Sequence, residues 1–89
     1  MVKVKRLVLD ILKPHQHNGL EFASTLAEQS PDCHIKFSVA EVDERTETVV
    51  LVITGENIQF ELISDTISAM GGTVHSIDEV EVINTFNDA

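Results

Sequence analysis

Along the first dozen residues, hydrophobic and polar positions alternate with a period of two. Residues 3–12 place Leu7, Leu9 and Ile11 on one face and Val4, Arg6, Val8 and Asp10 on the other. That period predicts a strand, ended at Lys13-Pro14, where proline removes an amide donor. The period then changes to that of a helix. Asn18 stands as an N-cap with Glu21 in the capping-box position, and Phe22, Ala23, Leu26 and Ala27 form an apolar stripe ending near Ser30-Pro31. Residues 33–43 return to alternation with Ile35, Phe37 and Val39 inward, and residues 46–55 do so with Val49, Leu51 and Ile53 inward. A two-residue loop within "DERT" gives these two strands incompatible parity. A three-residue loop or a bulge near Ala40-Glu41 repairs it, and the bulge also turns Val42 inward.

Asn57 is placed to cap a second helix whose stripe is Phe60, Ile63, Ile67 and Met70, with Gly71-Gly72 as its stop. A last strand runs from Thr73 to about Asn84, and residues 84–89, "NTFNDA", read as a frayed tail. The order β-α-β-β-α-β predicts one α+β domain over residues 1–89. Its architecture is the ferredoxin-like sandwich: a four-stranded antiparallel sheet in the order 4-1-3-2 with both helices on one face.

Eighty-nine residues make a thin core, and assembly is the usual way to bury more surface. With four Phe and neither Trp nor Tyr, that core is built from Val, Ile and Leu. The net charge of −9 excludes nucleic acid and anionic membranes as natural partners and suits cations or plain solubility. The single cysteine, Cys33, rules out an intrachain disulfide and reads as a small apolar residue at a strand start. The basic and then apolar N-terminus resembles a signal peptide but lacks a small-residue cleavage site and is interrupted by Asp10; no stretch is long enough to span a membrane, and a cytoplasmic location is expected.

Taking the first and third strands as parallel neighbours maps all four histidines, His15, His17, His34 and His75, to one edge of the sheet. A histidine metal site there, built on His15 and His75, competes with ordinary loop and edge histidines. Asp10 falls on the face away from the helices, near Ser76 and Asp78 of the last strand. Two carboxylates side by side repel and call for a cation or a basic partner, and Arg6 is two residues away. Val8, Val50 and Val52 lie on the same open face and are expected at contacts between copies of the chain. The acidic hairpin, with Glu41, Asp43, Glu44 and Glu47, lacks EF-hand spacing and reads as a solvated turn. Glu79 and Glu81 fall on the inward parity, which requires a bulge or an edge position.

Several activities known on this architecture are excluded. There are no aromatics on the central strands for base stacking, no CxxC after the first strand, no arginine in the "KPHQHNG" loop, and no nucleophile with a placed base.

Three segments, "VLDILKPH" (8–15), "EVDERTE" (41–47) and "GGTVHSIDEV" (71–80), resemble domain-of-unknown-function family 211, known chiefly from archaea. The resemblance covers nearly the whole chain, departing at "QHNGL" and the tail. It implies a ferredoxin-like fold and ring-like or other homo-oligomers, with no established activity. Its characteristic polar positions fall here on Asp10, Lys13, His15, Glu41, Asp43, Glu47, His75, Ser76, Asp78 and Glu79.

The leading expectation is a non-enzymatic homo-oligomer that binds Ca²⁺ or Mg²⁺, without an organic cofactor, through Asp10, Ser76 and Asp78. The alternative is a regulatory module that senses a small molecule at the first loop, where Asn18 and Gly19 offer backbone donors.

Overall fold

The structure is a computed structural model that describes residues 1–86. Its elements are β1 (Val2–Pro14), α1 (Gly19–Gln29), β2 (His34–Val42), β3 (Thr46–Thr54), α2 (Phe60–Ala69) and β4 (Thr73–Asn84). They form one sheet ordered β2-β3-β1-β4, the ferredoxin-like arrangement expected from the alternation. Every neighbouring pair is antiparallel. The expected parallel pairing of the first and third strands is therefore wrong. The β2–β3 hairpin reverses the chain, so β3 must run against β1.

The inward positions of β1 and β3 carry the core. Leu7, Leu9, Ile11, Val49, Leu51 and Ile53 are almost wholly buried beneath Phe22, Leu26, Ile63 and Ile67 of the helices. Phe22 meets Phe37 with ring centroids 5.8 Å apart and planes tilted by 57°. Ala27, expected in the α1 stripe, is exposed. Val4 packs against the core rather than the open face, because β1 holds one extra residue, Lys5, between Val4 and Arg6.

Asn18 caps α1, its Oδ1 accepting the Glu21 amide at 2.8 Å. Asn57 does not cap α2. Its N-cap is Gln59, because the intervening Ile58 is buried and its amide donates to the Val4 carbonyl. Gly71 ends α2 at φ +83°, a conformation that favours glycine.

The β2–β3 turn resolves the parity problem as anticipated. A two-residue loop is closed by Asp43 N–H donating to the Thr46 carbonyl, and Ala40 is the bulge residue. Val42 is thereby turned to the helix side, but no helix reaches it and it is 64% exposed. Cys33 lies just before β2 against the core, where burial, reinforced by Asp32, pushes its thiol pKa up.

Strand and helix lengths are mismatched. A 13-residue strand spans about 43 Å, whereas an 11-residue helix spans about 16 Å, so β1 and β4 overhang the helical layer. The molecule measures 52 × 23 × 17 Å, with a radius of gyration of 13.6 Å; a compact chain of this length has about 12 Å. Beyond Arg6, where β3 ends, β1 and β4 continue as a two-stranded ribbon. Of the expected tail, Asn84 and Thr85 are tied back to Met1, and Thr85 N–H donates to the Met1 carbonyl at 2.7 Å. Residues 87–89 lie outside the described residues.

Candidate functional site

The end of β1, the start of β4 and the start of β3 meet at one end of the sheet, and most of the candidate polar residues are there. Two separate constellations result, one on each face.

On the open face, Asp10 stands opposite Ser76. The β4 strand departs twice from regular pairing here. Val74 opposes Ile11 and Ser76 opposes Asp10, which leaves His75 as an extra residue; Ile77 opposes Leu9 and Glu79 opposes Val8, which leaves Asp78 as another. Each bulge shifts the side-chain parity by one. The second turns Glu79 and Glu81 to the open face, as their sequence parity required. The first puts His75 beside Asp10, with Nδ1 at 3.5 Å from Asp10 Oδ2. Asp78 turns instead to Ser76, whose Oγ donates to its Oδ1 at 2.8 Å.

Arg6 does not partner Asp10. Its Nε donates to Glu79 Oε1 at 2.7 Å, one step further along the same face. The expected Asp10, Ser76 and Asp78 set is thus divided into an Asp10–His75 pair and a Ser76–Asp78 pair. A cavity of about 290 Å³ opens beside the first pair, lined by Asp10, Ile11, Leu12, Thr48 and His75. No group of three or more metal-ligating side chains occurs among the described residues.

On the helix side, Lys13 continues the inward parity of Leu7, Leu9 and Ile11 and is 1% exposed. Its Nζ donates to Glu47 Oε1 at 2.9 Å and to the Pro14 carbonyl at 3.0 Å, and lies 5.9 Å from the centre of the Phe22 ring. His15 Nε2 donates to the Asp43 carbonyl at 2.9 Å, leaving Nδ1 3.9 Å from Glu47 Oε2. Asp43 Oδ1 accepts from the amides of Arg45 and Thr46, which hold its carboxyl below the usual range. The acidic hairpin is therefore clamped to the end of β1 through Glu47, and is more than a solvated turn. The parity of Lys13 was the signal in the sequence that could have revealed this.

The histidines do not share one edge. His15 and His75 lie at this end of the sheet. His34 pairs with Thr54, at the opposite end, because β3 is antiparallel to β1. His17 sits in the first loop with Nδ1 3.2 Å from Glu21 Oε1, so Glu21 holds the histidine rather than completing a capping box.

Val8, Val50 and Val52 are half-buried on the open face. The more exposed apolar residues are on β4, where Ile77, Val80 and Val82 lie on the helix side at 48%, 53% and 54% exposure. At the first loop, Asn18 is committed to capping. A Cβ on Gly19 would stand 2.8 Å from Phe37 Cε1, so the glycine serves the close approach of that ring. No helix among the described residues is long and apolar enough to cross a membrane.

Residues 5–85 match the family model DUF211, described as "Uncharacterized ArCR". The chain is also 43% identical over 77 residues to an uncharacterized protein of Methanocaldococcus jannaschii, a match covering 86% of this chain and 79% of that protein.

Proposed function

Since the chain belongs to DUF211, a family of unknown function, we propose a role read from its own surface: a non-enzymatic, cytoplasmic homo-oligomer that holds divalent cations where acidic subunit surfaces meet. The observation that carries this reading is the uncovered stripe Ile77, Val80 and Val82, on the edge strand β4. Contiguous exposed apolar surface usually marks a contact. A second copy of the chain would cover it, with the open-face valines Val8, Val50 and Val52 as a further contact surface.

Charge explains the need for cations. Chains of −9 repel on assembly, and Asp10, Asp78 and Ser76 supply oxygen donors of the kind that suit Ca²⁺ or Mg²⁺. The test is native mass spectrometry of the metal-free protein, repeated with each ion. A defined oligomer that gains a fixed number of ions per subunit supports the reading; a monomer in every condition overturns it.

A further inference from the structure

Asp10 is an unusual carboxylate. It sits in the middle of a central strand, with 27% of its side chain exposed, and among the described residues neither its carboxylate nor the His75 imidazole makes a side-chain hydrogen bond. The other two histidine–carboxylate approaches differ. His17 hydrogen-bonds Glu21, and His15 is committed to the Asp43 carbonyl. The Asp10–His75 pair also borders a cavity of about 290 Å³, large enough for several waters.

The separation of the two donor atoms is informative. Two ligands held at about 2.0–2.1 Å from one tetrahedral ion stand about 3.3–3.4 Å apart. Asp10 Oδ2 and His75 Nδ1 are 3.5 Å apart, facing one another without a hydrogen bond. Imidazole nitrogen paired with one carboxylate oxygen suits borderline ions such as zinc better than calcium, which prefers six or more oxygens. The bulge at His75 places both His75 and Ser76 beside Asp10, where regular pairing would set one residue there.

We infer that Asp10 and His75 form a site for a borderline divalent ion of the zinc class on the open face, with water from the adjoining cavity filling the other positions. This deepens the cation reading above and rests on it, replacing Asp78 with His75 as the second ligand and naming the class of ion.

The test titrates metal-free protein with Co²⁺, followed by its visible absorption, and then displaces it with Zn²⁺. Wild type, His75→Ala, Asp10→Asn and Asp78→Asn are compared, with circular dichroism as the folding control; His75 is 74% exposed, so its removal leaves the core untouched. One Co²⁺ per chain, weakened at least tenfold by His75→Ala and by Asp10→Asn and unchanged by Asp78→Asn, supports the site. Co²⁺ binding indifferent to His75→Ala overturns it. Native mass spectra of the same samples separate the two readings. A Ca²⁺-loaded oligomer lost in Asp78→Asn and intact in His75→Ala removes the zinc-class site and leaves the parent reading standing. An absence of any bound ion removes both.

Discussion

The Lys13 ammonium lies 2.9 Å from Glu47 Oε1, with the lysine side chain 2% and the glutamate side chain 20% exposed. A buried cation is tolerated only when its partner and its hydrogen bonds are in place, and here Glu47 and the Pro14 carbonyl provide them. The pair joins the end of β1 to the start of β3 from beneath α1.

Removing one side of this pair is not equivalent to removing the other. Glu47→Gln leaves the Lys13 charge buried without a counter-ion and should destabilise the fold by about 3 kcal/mol, the low end for a broken buried pair, because Glu47 keeps contact with water. Lys13→Met keeps the volume, removes the buried charge and lets Glu47 turn outward, so its cost should stay within about 1 kcal/mol. Urea denaturation of both variants checks the order. Equal losses would mean that Lys13 acts through packing and not through its charge.

Asp43 provides a pH dependence. Hydrogen bonds from the Arg45 and Thr46 amides stabilise its charged form and lower its pKa in the folded protein. Its contribution is therefore fully present above the unfolded value, about 3.9, and is lost as pH falls through the lower folded value. Asp43→Ala should be less stable than wild type at neutral pH, and the difference should shrink below about pH 4. Thermal melts of both proteins across this range test the sign; a difference that grows on acidification would contradict it.

Periodicity made most of the fold legible. Alternation assigned four strands, apolar spacing assigned two helices, and the parity conflict of a two-residue loop called for a longer loop or a bulge near Ala40-Glu41, of which the structure has the bulge, at Ala40. What stayed hidden depends on relations between strands. His34 lies at the end opposite to the expected one because β3 runs antiparallel to β1. The His75 and Asp78 bulges come from matching β4 to β1 over twelve residues, and neither residue is a glycine that would mark a kink. Lys13 has the inward parity of Leu7, Leu9 and Ile11, but Pro14 signals a strand end that the structure places after it, with β1 running through Pro14.

Gly19 tests whether the first loop is built for packing. A methyl group there would stand 2.8 Å from Phe37 Cε1 and 3.2 Å from Cδ1. The ring has little freedom to retreat, since it is packed against Phe22. Gly19→Ala should cost about 1–3 kcal/mol, in the range of overpacked cores, and should shift the Phe37 ring resonances in NMR spectra. An unchanged melting temperature would show that the loop can move away freely, as a ligand-binding loop would need to.

The β4 stripe makes the sharpest prediction about assembly, because it can be broken without touching the core. Val80 opposes Leu7 in register yet is 53% exposed, since no helix covers it. Val80→Glu should therefore change the stability of an isolated subunit by no more than about 0.5 kcal/mol. In a contact between copies it would bury a carboxylate beside Ile77 and Val82, a loss that a small interface cannot absorb. Light scattering after size exclusion should show a shift to monomer for Val80→Glu, with an unchanged far-ultraviolet spectrum. Val50→Glu, on the opposite face, separates the two surfaces. If Val50→Glu dissociates the oligomer and Val80→Glu does not, the copies meet on the open face and the β4 stripe is left to water.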